Sequence, residues 1–400
     1  MKAIELFAGA GGLGLGVGRA GFSAVDVVEW NRWCCDTLRE NRARGAQIIR
    51  DWPVPREGDV RGFSFSEFEG QVALVAGGPP CQPFSLGGRH RAQHDHRDMW
   101  SEAVRVVRET RPEAFIFENV KGLTRATFQT YFSYIFLQLS YPEIVPRDGE
   151  SWVDHRARLE RHHTSGSRSG LCYQVLPPEV LNAADYGVPQ KRERVFFVGF
   201  RVDLGANWSF PLPTHSREAL LWEQYRDGAY WDRHRVAKRE RPSDEKCLAA
   251  ARRLREAPNT LAWRTTRDAL VGLPEPTWRE PTSRNEGAAG FADHRFQPGA
   301  RAYPGHTGSP LDEPAKTLKA GVHGVPGGEN MLRRPDGSVR YFTVRESARL
   351  QTFPDDFVFH GAWSETMRQL GNAVPVKLAE VIARSVRAEL DAVEARRGRA

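Results

Sequence analysis

The chain has 400 residues, 40% hydrophobic and 27% charged, with a formal net charge of +7. That balance excludes a disordered or fibrous polypeptide and leaves room for two globular domains of roughly 150 residues or more. Five scattered cysteines without a CxxC pair argue against a disulfide scaffold or a zinc site and for a reducing cytoplasm, and no apolar run approaches the roughly 18 residues of a membrane helix.

Residues 4–7 read as a short buried strand, although Glu5 and the glycines behind it interrupt any signal-peptide pattern. A glycine turn over 9–14 leads into a helix that ends before Gly21. The spacing predicts a second strand over 24–28 and a second helix over 31–41. Residues 72–76 form another apolar run, closed by Gly77-Gly78-Pro79-Pro80. A helix over 101–110 keeps Val104 and Val107 on one face, and a strand follows over 114–117. This alternation implies βαβ units, a parallel sheet and an α/β doubly wound fold, with a ligand at the carboxyl ends of the strands.

The pattern breaks twice. Residues 147–170 are polar and read as a surface insertion. Residues 205–340 lack the alternation, are rich in Pro, Gly, Trp and Arg, and read as a second domain of loops and short strands. Residues 376–395 return to helical spacing through Leu378, Val381, Ile382, Val386 and Leu390, as a helix packed back on the first domain. No internal repeat is present.

Gly9-Ala10-Gly11-Gly12-Leu13-Gly14 satisfies G-x-G-x-x-G between a strand and a helix, where glycines permit a tight turn and close approach of a ligand. Glu29 lies 20 residues beyond Gly9 at the end of the second strand, placed to accept from both hydroxyls of a ribose. NAD and S-adenosylmethionine both carry that ribose, and the glycines also suit plain packing. Trp30 can stack on adenine or serve as a core residue.

Cys81 sits in Gly78-Pro79-Pro80-Cys81-Gln82-Pro83-Phe84-Ser85, directly after a strand. Three prolines fix φ around it, as a nucleophile requires; a buried free thiol is the alternative. Glu118 ends the next strand on the same sheet edge, where a carboxyl beside a thiol suits acid–base work or simple solvation. In Gln190-Lys191-Arg192-Glu193-Arg194, two-residue alternation puts Arg192 and Arg194 on one strand face, aimed at an anion or at solvent. The basic charge suits a polyanionic partner through counterion release, but only eight of the 57 basic residues are lysines, so genome composition explains it equally well.

Taken together, these stretches resemble the DNA (cytosine-5) methyltransferase family. The resemblance runs nearly end to end and in the family's order. Ile4-Glu5-Leu6-Phe7-Ala8-Gly9-Ala10-Gly11-Gly12, Glu29-Trp30, Gly58-Asp59-Val60, Gly78-Pro79-Pro80-Cys81-Gln82 and Glu118-Asn119-Val120 come first. Gln190-Lys191-Arg192-Glu193-Arg194, Arg345-Glu346-Ser347-Ala348-Arg349-Leu350-Gln351-Thr352-Phe353-Pro354 and Gly371-Asn372-Ala373-Val374-Pro375 follow.

The resemblance implies a Rossmann-like S-adenosylmethionine-dependent catalytic domain over 1–204, completed by 366–400, and a smaller, irregular target-recognition domain over 205–365. It implies that Phe7 and Trp30 sandwich the adenine, Glu29 holds the ribose and Asp59 the adenine amino group. Gly9, Gly11, Gly12, Val60, Pro80 and Asn372 complete the cofactor contacts. Cys81 would attack carbon 6 of a cytosine flipped out of double-stranded DNA. Glu118 would bond at N3 and the amino group, and Arg194, Arg192 and Gln190 would position base and thiol. Ser85 and Arg89, in and after the cysteine loop, and Thr317, Leu318 and Lys319 in the second domain would touch DNA. No metal is required. A monomeric bacterial enzyme, paired in function with a restriction endonuclease, is the expected setting.

Three alternatives stand beside this reading. An RNA cytosine-5 methyltransferase would differ in its substrate-binding region. An inactive DNA-gripping relative is opposed by intact Cys81, Glu118 and Arg194. An NAD-dependent dehydrogenase leaves the Pro-Pro-Cys-Gln loop unexplained.

Overall fold

Continuous apolar runs become the central strands. The structure, a computed structural model, describes residues 1–80, 99–242, 244–276, 290–320 and 330–398. It divides into two units, the first made of Met1–Leu181, Glu193–Pro211 and Ala379–Ala400.

The first unit carries β1 (Lys2–Leu6), α1 (Gly12–Arg19), β2 (Ser23–Glu29), α2 (Arg32–Ala43), β3 (Arg56–Glu57), β4 (Leu74–Gly77), α3 (Trp100–Thr110) and β5 (Ala114–Val120). It continues with α4 (Gln129–Ser140), α5 (Trp152–Ser165), β6 (Tyr173–Val175), β7 (Glu179–Asn182) and β8 (Glu193–Arg201). The strands are ordered β3-β2-β1-β4-β5-β8-β6, with β7 also paired to β8. Ile4, Leu6, Leu74, Val75 and Phe115 are buried, as central strands covered on both faces require. Trp100 of α3 meets Phe117 and Phe197 edge-on, at centroid distances of 6.0 and 4.9 Å.

The sheet is mixed, not wholly parallel as the alternation predicts. β1, β2, β4 and β5 pair in parallel, whereas β8 runs antiparallel to β5 and to β6. This reversal matters for chemistry, because it brings the carboxyl end of β5 to the amino end of β8.

Residues 147–170 are better ordered than a polar insertion suggests. Ser151 caps α5 by accepting from Asp154 N. His155 is buried, accepting from the Tyr134 hydroxyl at 2.8 Å and donating to Ile144 O at 2.7 Å, and Leu159 joins the main core.

The second unit comprises Asn182–Arg192 and Leu212–Leu378. Compared with the expected division, it takes in 182–192 and 366–378. Its elements are β9 (His215–Ser216), α6 (Arg217–Tyr225), α7 (Ala229–Arg233), α8 (Glu245–Arg252), β10 (Leu261–Ala262), α9 (Thr266–Leu270), β11 (Ser309–Pro310), β12 (Met331–Arg333), β13 (Val339–Tyr341), α10 (Val344–Leu350) and α11 (Trp363–Asn372). The expectation of loops and short strands is therefore corrected: α6 to α9 are helical. They are too short to display a clear period, and their signal lies in the caps Ser216, Asp244 and Thr265. Leu220, Tyr230 and Trp231 form one small core there.

A final helix, α12 (Val376–Arg397), returns to the first unit from Ala379 onward. Gly16 of α1 faces it. A Cβ at Gly16 would collide with the Ala379 methyl and stand 2.5 Å from Glu380 N, so only glycine lets the two backbones approach this closely.

Candidate active site

The turn after β1 is left-handed at three positions. Phe7 and Gly9 adopt φ of 53° and 55°, Gly11 reaches 84° as the N-cap of α1, and Gly12 opens the helix. The Glu29 carboxylate spans two loops. Its Oε2 accepts from Gly9 N at 2.7 Å and its Oε1 from Asn31 N at 2.6 Å. Asn31 in turn caps α2 by accepting from Cys34 N. Trp30, immediately after Glu29, is 66% exposed, so it is not a core residue.

Gly58 N donates to Glu29 O, bringing the Asp59-Val60 turn beside β2. Val60 is buried, while the Asp59 carboxylate is half-exposed and held by Arg61, whose guanidinium keeps it below the usual carboxylate range. Arg105 of α3 fastens this turn from behind, donating to Val60 O at 2.9 Å and Phe63 O at 3.1 Å. Glu102 and Glu109 brace Arg105 at 2.7 and 2.8 Å. The sequence reading missed Arg105; its signal was an arginine flanked by acids three residues before and four after on one helix. Beneath the glycines, Glu5 is buried, and burial pushes its carboxyl up to about 8 against the opposing hydrogen bond from the Gly14 backbone.

A carboxylate fixed at both oxygens, an exposed indole beside it and Gly9 with nothing within 4 Å of where a Cβ would stand form an acceptor and stacking set suited to an adenosine moiety.

The second cluster lies at the carboxyl ends of β4 and β5. Antiparallel register sets Val120 opposite Arg194 and Glu118 opposite Phe196, so Glu118 and Arg194 are diagonal neighbours on one face. Arg194 Nε meets Glu118 Oε1 at 2.7 Å, with both side chains nearly buried. Burial pulls the Arg194 guanidinium below its ordinary value, and Glu118 opposes that shift. The Glu118 Oε2 atom lies 3.4 Å from where a Cβ on Gly78 would stand, against the turn that leads to Cys81. Asn119 points the other way and donates to Pro79 O at 2.9 Å, fixing that turn. Pro80 O accepts from Met99 N at 3.2 Å. Cys81, Ser85 and Arg89, together with the rest of the basic loop after Cys81, lie outside the described residues.

Arg192 does not share a face with Arg194. The strand begins at Glu193, and Arg192 lies fully buried in the second unit, donating to Leu318 O at 3.1 Å, Gly371 O at 2.7 Å and Ala373 O at 2.8 Å. Gln190 is buried beside it, accepting from Leu318 N at 3.2 Å and donating to Leu350 O. The expectation that Arg192 and Arg194 share one strand face is therefore corrected: the Arg192 Nη1 and Nη2 atoms and the Gln190 amide bond to backbone. Thr317 donates to Lys191 O at 2.6 Å, Leu318 is buried, and Lys319 pairs with Asn330. Asn372 is exposed at the end of α11.

The profile for C-5 cytosine-specific DNA methylase matches residues 1–141 and 154–388. The chain is 31% identical over 385 residues to the type II methyltransferase M.PspPI of Psychrobacter sp., covering 96% of this chain and 78% of that protein. It is also 31% identical over 399 residues to M.Eco47II of Escherichia coli, covering 98% and 80%. Among solved structures, the S. pombe Dnmt2 methyltransferase superposes with a TM-score of 0.54 at 16% identity, covering 98% of this chain and 99% of that one, which shows the shared fold.

Proposed function

The chain belongs to the C-5 cytosine-specific DNA methylase family, and from that premise we propose that Cys81, Glu118 and Arg194 run its reaction. The enzyme methylates carbon 5 of cytosine in DNA through a cysteine adduct at carbon 6. S-adenosylmethionine supplies the methyl group as an electrophile. Phe7, Gly9, Gly11, Gly12, Glu29, Trp30, Asp59, Val60, Pro80 and Asn372 hold it, Glu29 through the ribose hydroxyls and Trp30 by stacking.

Carbon 5 of cytosine is a weak nucleophile, so the base must first be activated covalently. The target base leaves the duplex at a cost of a few kcal/mol. The Cys81 thiolate adds to carbon 6, and once carbon 5 carries the methyl group, loss of its proton and expulsion of Cys81 restore the 5,6 double bond of 5-methylcytosine. Glu118 bonds at N3 and the exocyclic amino group, where charge builds as the adduct forms. Arg194 holds the Glu118 carboxylate in place from the neighbouring strand and presents its remaining donors to the base. Asn119 steadies the Pro79-Pro80 turn by donating to Pro79 O. The observation that carries this reading is the nearly buried Glu118–Arg194 pair beside Gly78.

Ser85 and Arg89 would close on the duplex, and Thr317, Leu318 and Lys319 belong to the region that selects the target. That selection is the task of the domain bounded at 205–365, with 1–204 and 366–400 carrying the chemistry. The type II relatives support protection of host DNA against a cognate restriction endonuclease, a functional and not a physical partner. We place the enzyme in the cytoplasm as a monomer, since flipping one base needs no symmetry. Among the described residues, no helix is long and apolar enough to cross a membrane.

The deciding experiment is a trap. In the presence of S-adenosylmethionine, duplex DNA containing 5-fluorocytosine at the target, identified by bisulfite sequencing of an expressing host, should form a covalent adduct with the wild type and none with Cys81→Ser. Cys81→Ser should lose methyl transfer while retaining target binding. An adduct in that variant, or transfer to tRNA in place of duplex DNA, overturns the reading.

A further inference from the structure

We propose that Arg192 is a positioning residue that fastens the target-recognition segment to the turn bearing Asn372, so that cofactor affinity and target discrimination depend on one guanidinium. This rests on the roles read above for Asn372 and for Thr317 to Lys319.

Three stretches far apart in sequence meet at this side chain. Residues 189–192 lie along 315–318 as an extra parallel rung: Lys191 N donates to Ala315 O at 2.8 Å and Ala315 N to Pro189 O at 2.9 Å. Thr317 and Leu318 close the same seam through Lys191 O and the Gln190 side chain. From this seam Arg192 reaches Leu318 O on one side and Gly371 O and Ala373 O on the other, the carbonyls that bracket Asn372. The two stretches also touch directly. A Cβ on Gly371 would collide with Ala320 N and stand 2.6 Å from the Lys319 carbonyl carbon.

A buried cation needs its donors filled, and the planar guanidinium fork reaches three carbonyls from two segments at once. A lysine carries the charge but is a compact point donor that does not span them. Arg192 therefore sets the distance between the recognition segment and the Asn372 turn, and it touches neither base nor thiol.

The test compares Arg192→Lys and Gly371→Ala, which disturb the same joint from opposite sides. S-adenosylhomocysteine affinity is measured by calorimetry, and cognate against single-mismatch DNA affinity by competition. Each variant should bind S-adenosylhomocysteine about tenfold more weakly and lose about tenfold in discrimination, on the scale of one or two buried hydrogen bonds. Adduct formation with cognate 5-fluorocytosine DNA, at saturating DNA and S-adenosylmethionine, should stay near the wild-type rate. The proposal is overturned if adduct formation collapses while both affinities hold, since Arg192 would then act on base or thiol. Loss of only one of the two affinities in both variants overturns it as well. Asn372→Ala and Thr317→Ala serve as controls on the underlying reading: the first should weaken only cofactor binding, the second only DNA binding. A control that moves nothing removes that residue's assignment, while Arg192→Lys and Gly371→Ala still decide the joint.

Discussion

Glu118 and Arg194 face each other at 2.7 Å across two antiparallel strands, with little of either side chain open to solvent. Removing one partner of such a pair leaves a buried charge alone, which costs about 3–5 kcal/mol. Arg194→Ala should therefore unfold at lower denaturant than the Glu118→Ala/Arg194→Ala double variant, and the cycle should be clearly non-additive. Both Glu118→Gln and Arg194→Ala should lower kcat by about 10²-fold or more, the usual scale for a positioned acid–base group. Additive stability losses, or near-normal kcat in Glu118→Gln, would contradict the pairing or its role.

Glu29 joins two loops through its two oxygens, so its loss should act on cofactor binding before chemistry. Glu29→Ala should raise the KM for S-adenosylmethionine about 10- to 100-fold, the equivalent of one or two charged hydrogen bonds, with a smaller change in kcat. Calorimetry with S-adenosylhomocysteine gives the same comparison without turnover. An unchanged KM would remove Glu29 from the ribose site.

Glu5 makes stability depend on pH in a defined direction. Its carboxyl rises from the ordinary 4.5 to about 8 on folding, so between those values the folded chain holds a proton that the unfolded chain has lost. The favourable neutral form is fully present below pH 4.5. Its contribution falls steadily as pH rises to about 8 and is flat beyond. Glu5→Gln should flatten that segment of the curve and gain on the wild type towards pH 8. Chemical denaturation at pH 5, 6, 7 and 8 checks this, and parallel curves for the two proteins would refute it.

Much of the first unit was legible because its signals are local. The run before Phe7, the glycines of the turn and Glu29 twenty residues on all resolve to β1, the start of α1 and the end of β2. The antiparallel edge was not legible, since no local pattern states which way β8 runs beside β5. Nor was the fate of Arg192. Alternation treats 190–194 as one strand, yet the carbonyls that capture Arg192 lie 126, 179 and 181 residues further along the chain. The helices α6 to α9 escaped because each is only a turn or two long, held by caps and by burial of Tyr230 and Trp231. Asn119 shows the reverse case. It adjoins Glu118 in the sequence, but its work on Pro79 O emerges only once β4 and β5 lie side by side.

The contact between Gly16 and Ala379 has a consequence for biosynthesis. Helix α1 leaves the ribosome well before α12 can cover its outer face, because most of the second unit is translated between them. A nascent chain can pair β1 with β2 and β4 early, yet it carries an unshielded α1 until α12 arrives. Contacts so distant in sequence close slowly. A chain arranged this way completes its first unit only after the second has been made.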